Sequence, residues 1–312
     1  MKKLHYPELY QGKKNPRQYF EGLYLRHTSE DTKNSLIVIP GISYEKNNSH
    51  AFIQIITGNP LKAYYIQYDI SEFTYSKKNF ELKIGSNYFF TGGIHLNIHT
   101  NELSLTGELS YGAFSRIDRS LFTPNIMGFF AYFKFMECNH GVVSLSHKIT
   151  GTMKCNGTSI NYDNGNGYIE KDWGISFPLK YIWLQSGHFK KDTNLFVSIA
   201  RIPFLGFAFN GFISILKING KQYRFATYNG SKYKIKSISS SGVLIELSRR
   251  KLKLIISVKS NSGHVLKAPK RGKMSGEITE TVMAETEIEL YENGTLIYKD
   301  NGTNTGLELV WQ

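Results

Sequence analysis

The sequence predicts an all-β protein made of two packed, barrel-like halves, and three observations support this. The chain has 312 residues, and because a single hydrophobic core stops growing at about 250 residues, we expect two cores. Apolar and polar residues alternate along many short segments, which is the pattern of a half-buried strand. The dipeptide Asn-Gly, which suits tight hairpin turns, occurs eight times.

The strands are the best-defined elements of this prediction. Segments with the period-two pattern are rich in β-branched residues, which fit a pleated surface, and no segment predicts a long helix. The predicted strands include residues 36–39, 50–56, 63–68, 93–99, 142–149, 212–218, 242–248 and 251–259.

The turns predict an antiparallel arrangement and a division of the chain. All eight Asn-Gly pairs lie after residue 155, and Asn219-Gly220 between two alternating segments predicts a hairpin. The first half has looser connections and a phenylalanine-rich segment, residues 114–135, without a strand period. This asymmetry predicts a boundary near residues 160–170, which gives domains of residues 1–165 and 166–312.

The charge of the chain limits its partners. The net charge is +13, with basic clusters at residues 2–3, 13–14, 249–253 and 267–273. Solvent exposure is the commonest fate of such lysines, peripheral docking on an anionic membrane is the main alternative, and nucleic acid is the least favoured partner. No apolar stretch reaches the ~18 residues of a membrane span, and none follows Lys2-Lys3 as in a signal peptide, so we expect a cytoplasmic protein.

No standard metal or cofactor motif is present. His95 and His99 would lie about 13 Å apart on a strand, too far to share a metal ion. Phosphate-binding and dinucleotide-binding glycine motifs are absent, as is the nucleophile elbow of many hydrolases. We therefore expect no metal and no cofactor. Acid chemistry remains, because a carboxyl group buried in an apolar pocket has a raised pKa and can stay protonated at neutral pH.

Two segments place carboxylates among aromatic residues. In residues 19–24, Glu21 interrupts a run that otherwise looks buried, and in residues 167–185, Glu170 and Asp172 lie among aromatic side chains. These side chains could form an acid site near the domain boundary. The structural alternative is that Glu170 and Lys171 form an exposed or capping ion pair while Trp173 anchors one domain to the next.

The same two segments resemble the tocopherol cyclase family. Residues 19–24, Tyr-Phe-Glu-Gly-Leu-Tyr, are similar to its Phe-Phe-Glu-Gly-Trp-Tyr, and residues 170–178 are similar to its Glu-Lys-Asn-Trp-Gly-x-x-Phe-Pro. Weaker similarity continues through residues 219–223 and 266–269 to residues 306–309. Leu23 and Asp172 replace the family's Trp and Asn, and Tyr181 replaces another aromatic residue, so a different ligand is expected.

The resemblance implies a fold and a reaction. The fold would be two tandem antiparallel lipocalin-like β-barrels packed against each other, with an apolar pocket near their junction. The reaction would be an acid-initiated cyclisation or hydration of a prenylated or otherwise hydrophobic small molecule. The competing reading is a lipid- or isoprenoid-binding protein without catalysis. By position, the acid candidates are Glu170, Asp172 and Glu21, and the substrate-binding candidates are Tyr24, Trp173, Phe177, Tyr181 and Trp183.

Overall fold

The chain is all-β, as the alternating pattern predicts. The computed structural model describes residues 2–12, 17–45, 48–133, 136–204, 207–260 and 263–311; Lys13 and Lys14 of one basic cluster, and Phe135, lie outside them. The chain forms two compact units: Met1–Phe177 with Leu266–Glu277, and Pro178–Val265 with Ile278–Gln312. The boundary at residues 165 and 166 stays a prediction.

The first antiparallel sheet has 12 strands. Its strand order is β4-β3-β2-β1-β12-β10-β9-β8-β7-β6-β5, and β11 pairs with β10. The strands are β1 (Tyr19–Thr28), β2 (Ser35–Tyr44), β3 (His50–Gly58), β4 (Leu61–Asp69), β5 (Phe73–Tyr75), β6 (Glu81–Ile84), β7 (Asn87–Phe90), β8 (Gly93–His99), β9 (Ser104–Tyr111), β10 (Cys138–Cys155), β11 (Thr158–Asn161) and β12 (Gly165–Gly174).

The second antiparallel sheet has 11 strands. Its order is β17-β16-β15-β13-β23-β22-β20-β19-β18, while β14 pairs with β23 and β21 pairs with β22. The strands are β13 (Tyr181–Ser186), β14 (His188–Phe189), β15 (Thr193–Phe204), β16 (Phe207–Ile218), β17 (Lys221–Ala226), β18 (Lys232–Ser239), β19 (Gly242–Arg249), β20 (Leu252–Lys259), β21 (His264–Lys270), β22 (Lys273–Glu292) and β23 (Thr295–Val310).

Helical structure is limited to short pieces in the described residues. There is one α-helical turn, α1 (Lys2–His5), and there are 3-10 turns at Ile70–Glu72, Gly128–Tyr132 and Thr227–Asn229. The predicted phenylalanine-rich segment forms no strand between Tyr111 and Cys138 in its described part. Within the described ranges, no helix has the length and apolar character needed to cross a membrane.

Each unit has its own hydrophobic core. Residues of β1, β2, β3, β6–β10 and β12 share the first core, in which Leu25, Ile53 and Phe89 are fully buried. The second core is built in the same way from strands of the second sheet, with Ile182, Leu184 and Phe225 fully buried. Burying a side chain of this size stabilises the fold by about 1.5–3 kcal/mol. The prediction of two cores is therefore confirmed.

The Asn-Gly pairs divide into turns and strand interiors. Asn219 has a φ of 48° and Gly220 a φ of 79°, so this pair forms the predicted turn between β16 and β17, and the pairs at Asn156, Asn164, Asn229 and Asn293 also lie at turns. Three pairs were expected to suit turns but lie inside strands, at Asn166, Asn210 and Asn301. The glycine there gives room to a neighbour: a Cβ on Gly167 would lie 2.3 Å from His147 Nε2.

Candidate functional site

The centre of the candidate site is β12, which carries charged residues on both of its faces. Glu170 and Asp172 lie two residues apart, so their side chains share one face of the sheet. Ile169 and Lys171 point to the other face, where Ile169 belongs to the first core. Glu170 is 3% exposed. The carboxylates of Glu170 and Asp172 therefore lie on the face of β12 that points away from the first core.

His140 completes this group from the neighbouring strand. It pairs directly with Asp172 in the β10–β12 ladder. Its Nδ1 lies 2.8 Å from Asp172 Oδ1, and its Nε2 lies 3.5 Å from Glu170 Oε2. The imidazole thus lies between two carboxylates, with 13% of its side chain exposed. We call His140, Glu170 and Asp172 the acid cluster.

The acid cluster holds a proton at neutral pH. Burial alone would disfavour the charged imidazolium, but the negative charges of Asp172 and Glu170, together with the hydrogen bond to Asp172, outweigh it and raise the pKa of His140 to about 9. A protonated imidazole can donate through both nitrogens, one toward each carboxylate. The cluster is therefore a buried group that can release and recover a proton.

Two tyrosines border the Glu170 side of the cluster. Tyr168 Oη donates a hydrogen bond to Glu170 Oε2, and burial, followed by the charge of Glu170, raises the pKa of Tyr168 well above its ordinary value. Tyr24 pairs with Glu170 across the β1–β12 ladder, and its ring lies 6.4 Å from the Tyr168 ring, edge to face. The predicted substrate-binding residue Tyr24 is thus a neighbour of the acid cluster.

The acid cluster also has the donor set of a metal site. One ligand atom from each of His140, Glu170 and Asp172 lies within 4.8 Å of the others. A metal ion would need one unprotonated imidazole nitrogen aimed at the same point as both carboxylates. Here Nδ1 faces Asp172 while Nε2 faces Glu170. This arrangement fits a shared proton better than a metal ion. The absence of a metal or cofactor stays a prediction.

Glu21, the third acid candidate, lies on the opposite face of the sheet. It forms a buried ion pair with Lys171. Its carboxylate also accepts hydrogen bonds from the backbone N–H groups of Gln11 and Gly12, each at 2.9 Å from one of its oxygens, and from Tyr19 Oη at 2.5 Å. These donors occupy the acceptor capacity of the carboxylate. Glu21 therefore holds the N-terminal segment in place and does not join the acid cluster.

Lys171 pairs with Glu21 and not with Glu170. Lys171 is 2% exposed, and its Nζ also donates to the carbonyl oxygen of Leu9 at 2.8 Å. Burial lowers the pKa of Lys171, while the charge of Glu21 opposes that shift. The alternative of an exposed or capping ion pair between Glu170 and Lys171 is wrong, because both residues are buried and Lys171 pairs with Glu21. Adjacent residues of a strand point to opposite faces.

The aromatic candidates of the first unit are separated. Trp173 lies on the same face as Lys171, and a Cβ on Gly141 would lie 3.3 Å from its ring. Phe177 packs edge to face on Phe20, with ring centroids 5.5 Å apart. Gly22 on β1 pairs with Asp172. Phe20 and Tyr24 lie two residues before and after Gly22, so they face the same side of the sheet as the acid cluster.

Tyr181 and Trp183 belong to the second unit. Both lie on β13, on the face opposite to Ile182 and Leu184 of the second core. Tyr181 Oη donates to Glu308 at 2.6 Å, and Glu308 pairs with Trp183 in the β13–β23 ladder. Their role in substrate binding stays a prediction.

Sequence reasoning missed His140. The predicted strand of residues 142–149 stops short of it, whereas β10 begins at Cys138. Asp172, the ladder partner of His140, lies 32 residues further along the chain, and two irregularities shift the register between Val142 and His147. Extending the alternating pattern toward residue 138 would have placed His140 on a strand, but nothing local indicates its partner.

A family model agrees with this chain over most of its length. The model described as tocopherol cyclase-like matches residues 99–310. Among curated proteins, the chloroplastic tocopherol cyclase of Zea mays is 34% identical over 62 residues, which are 20% of this chain and 13% of the maize protein. The matched segment thus spans a small part of the maize protein's length.

Solved structures share the fold over nearly the whole chain. A crystal structure of CghA has a TM-score of 0.61 at 8% identity, covering 95% of this chain and 89% of the other. A putative AttH from Nitrosomonas europaea has a TM-score of 0.53 at 11% identity, with coverages of 95% and 94%. Kievitone hydratase from Nectria haematococca has a TM-score of 0.52 at 11% identity, with coverages of 95% and 89%. At these identities the similarity concerns the fold alone.

Proposed function

The chain belongs to the tocopherol cyclase-like family, and from this premise we propose that it protonates a hydrophobic small molecule to start a cyclisation or a hydration. The observation that carries the proposal is the acid cluster, in which His140 lies between Glu170 and Asp172. A buried group that holds a proton at neutral pH is what acid-initiated chemistry requires. The likeness to kievitone hydratase supports the hydration branch at the level of fold.

In the proposed reaction the acid cluster gives one proton to the substrate and recovers one from it. His140 passes its proton from Nε2 to Glu170, Glu170 delivers it to a carbon–carbon double bond of the substrate, and the substrate becomes a tertiary carbocation. A phenol oxygen of the same molecule, or a water oxygen, then forms a carbon–oxygen bond to the cation, and the proton lost from that oxygen returns to the cluster through Asp172 and His140. Proton transfers of this kind contribute about 10²–10⁴-fold to a rate. The rings of Tyr24 and Tyr168 would stabilise the cation.

We assign the substrate to prenylated phenols and related isoprenoid molecules. The name of the maize relative, tocopherol cyclase, supports this class. Trp173, Phe177, Tyr181 and Trp183 remain predicted substrate-binding residues. If the chain binds such a molecule without converting it, the alternative of a non-catalytic lipid- or isoprenoid-binding protein holds instead.

We further propose that each sheet curls into a lipocalin-like barrel. In the first sheet, strands from both ends of the strand order contribute residues to one core. A flat sheet could not bring those strands together. In addition, β3 contacts β6, and β17 contacts β19, although neither pair is hydrogen-bonded in the strand order. Curling of this kind is how antiparallel sheets remove their exposed edges.

We propose a cytoplasmic protein that docks on anionic membranes, where a hydrophobic substrate dissolves. Cys138 and Cys155 are free thiols, which suits a reducing compartment. Exposed Arg250 and Lys251 lie at one hairpin tip, and exposed Lys270 and Arg271 at another. The protein should float with vesicles that contain anionic lipid at low salt and stay in solution at high salt.

The acid cluster can be tested with conservative variants. Purified His140→Gln, Glu170→Gln and Asp172→Asn proteins would be given a prenylated hydroquinone, and the chroman or tertiary-alcohol product measured by mass spectrometry. We expect kcat to fall about 10²-fold or more in each variant. The matched controls are His95→Gln and Glu108→Gln, because this exposed pair has a similar contact of 2.9 Å and should leave the rate unchanged.

The outcome decides between the two functions. Turnover by all three cluster variants at the parent's rate would contradict the assignment of the acid. Native mass spectrometry that detects the bound hydroquinone, with no product from the parent protein, would favour the binding protein.

A further inference from the structure

Three of the Asn-Gly pairs form the same exposed turn, each at the tip of a hairpin with a two-residue loop. They are Asn156-Gly157, Asn219-Gly220 and Asn293-Gly294. The asparagines have φ angles of 47°, 48° and 52°, and the glycines have φ angles of 88°, 79° and 83°. A Cβ on any of these glycines would meet no atom within 4 Å. The space around each turn is therefore open, and such hairpin tips open locally at little cost.

An Asn-Gly pair in an open turn can modify itself. The backbone nitrogen of the glycine attacks the side-chain carbonyl carbon of the asparagine, because glycine has no side chain to hinder the approach. The new C–N bond closes a cyclic imide. The C–N bond to the side-chain amide nitrogen breaks, and this nitrogen leaves as ammonia with the proton of the glycine nitrogen. Water then opens the ring at either carbonyl, which leaves aspartate or isoaspartate, so a neutral side chain becomes an anion.

Side-chain hydrogen bonds distinguish the three turns. Asn156 Oδ1 accepts from the backbone N–H of Ser104 at 2.8 Å, and this bond ties down the carbonyl group that the glycine must attack. Asn219 and Asn293 are exposed, and their side chains make no hydrogen bond with the described part of the chain. Their amides can turn toward the glycine nitrogen, whereas the amide of Asn156 must first break a hydrogen bond.

The fold holds the other five pairs. The side chain of Asn229 accepts from two backbone N–H groups and donates to the carbonyl oxygen of Arg224 at 3.0 Å. After Asn164, Gly165 is buried, and its N–H donates to the carbonyl oxygen of Tyr162 at 2.9 Å. The remaining pairs lie inside strands, where ladder partners keep the backbone extended, at Asn166, Asn210 and Asn301.

We propose that Asn219 and Asn293 are deamidation sites and that the fold protects the other six Asn-Gly pairs. The two sites share an open turn, an exposed asparagine and a side chain that no described residue holds. Each of the protected pairs lacks at least one of these features.

Deamidation at Asn293 would change a surface to which we have assigned a partner. The N–H of Asn293 donates to the carbonyl oxygen of Lys251 at 2.9 Å, so this turn adjoins the basic hairpin tip that carries Arg250 and Lys251. A carboxylate at residue 293 would reduce the positive charge of that tip. On the proposed membrane docking, which this consequence rests on, the modification weakens binding to anionic vesicles.

Peptide mapping by mass spectrometry tests the sites. The folded full chain is incubated at mildly alkaline pH, and the conversion of each asparagine to aspartate or isoaspartate is followed over time. We expect Asn219 and Asn293 to convert first, and Asn156 about fivefold more slowly, which is the factor contributed by one hydrogen bond. The strand pairs should stay intact. The matched control is the chain unfolded in urea, in which all eight pairs should convert at similar rates.

Three results would overturn the proposal. They are equal conversion of all eight pairs in the folded chain, conversion of Asn156 as fast as that of Asn219 and Asn293, and no conversion at these two sites while the unfolded chain converts.

Vesicle flotation tests the consequence at Asn293. Asn293→Asp should bind anionic vesicles about fivefold more weakly than the parent, whereas Asn156→Asp, which adds the same charge at the matched turn of the first unit, should bind like the parent. Equal binding by the two variants would contradict the consequence. A parent protein that does not float would refute the docking and this consequence with it, while the two deamidation sites are decided by the mass spectra alone.

Discussion

His140 and Asp172 face each other across the β10–β12 ladder, and His140 Nδ1 lies 2.8 Å from Asp172 Oδ1. The two residues belong to the long central strands of the first sheet, so the surrounding hydrogen-bonded ladder fixes their contact. An ion pair held in this way is preorganised, because neither partner must search for the other. The pair therefore links the titration of His140 to the stability of the first unit as well as to the proposed chemistry.

The first prediction is a loss of stability at alkaline pH that depends on His140. Its pKa is about 9 in the folded protein and about 6.5 in the unfolded chain. The stabilisation is thus complete below pH 6.5 and disappears as the pH rises through 9, by up to a few kcal/mol. Urea unfolding between pH 6 and 9.5 measures it. His140→Gln should flatten the dependence and His95→Gln should not; parallel curves for parent and His140→Gln would contradict the assignment.

The second prediction is acid destabilisation through His27 and His147. Burial lowers the pKa of His27 to about 4 and that of His147 to about 3. The unfolded chain takes up protons at these positions near pH 6.5, so stability should fall by several kcal/mol between pH 6.5 and 4. His147→Phe removes one of these groups, and its unfolding free energy should change less over that range. Equal slopes for parent and variant would refute this.

The third prediction concerns the buried pair of Glu21 and Lys171. Lys171→Met leaves an uncompensated carboxylate and should lower the unfolding free energy by about 3–5 kcal/mol. The double variant Glu21→Leu, Lys171→Met should lose less than the sum of the single variants. As a control, Lys267→Met breaks an exposed pair and should change stability by less than about 1 kcal/mol. Chemical denaturation of the parent, the two single variants, the double variant and the control provides the test.

The same pair should hold the N-terminal segment. Gln11 and Gly12 donate their backbone N–H groups to Glu21. In Lys171→Met these two amides should exchange with deuterium faster than in the parent. Unchanged exchange would show that the segment is held by other contacts.

The fourth prediction tests the space above Gly167. A Cβ at this position would lie 2.3 Å from His147 Nε2, so Gly167→Ala must displace the imidazole or the strand. We expect a loss of about 1–3 kcal/mol, as for other overpacked sites. Gly112→Ala is the control, because its nearest contact would be 3.4 Å. Thermal unfolding that ranks the two variants equally would argue against a steric cause.

The strands could be predicted from sequence because their signal is local. Alternation and β-branched residues mark each strand, and residues 50–56 and 93–99 lie inside β3 and β8 as expected. The turn signal was less reliable. Asn166-Gly167 looks like a turn locally, but its ladder partners on β1 and β10 keep it extended. Whether an Asn-Gly pair forms a turn or stays in a strand depends on its pairing with distant strands. A short stretch of sequence carries no information about that pairing.

Only part of the candidate site could be predicted from sequence, because the rest depends on pairing between strands. Glu170 and Asp172 stand out in one motif, whereas His140 reaches them through a strand pairing that spans 32 residues. The opposite faces of Glu170 and Lys171 were not predicted, because no strand was predicted over these residues, whereas β12 (Gly165–Gly174) makes the two neighbours point apart. The sequence did not indicate the partner of Lys171. That partner is Glu21, which belongs to the segment of residues 19–24.

The alternation along β12 makes the triplet Glu170-Lys171-Asp172 sensitive to insertion. A single added residue between Gly167 and Glu170 would shift the register of the triplet by one residue and exchange its two faces. Lys171 would then face His140, and both carboxylates would point into the apolar core. His140 would then lose both carboxylates that stabilise its charge, and two unpaired anions would be buried on the other face. Insertions should therefore be tolerated at the Asn156-Gly157 turn, whereas length changes within β12 should disrupt the fold and, with it, the proposed activity.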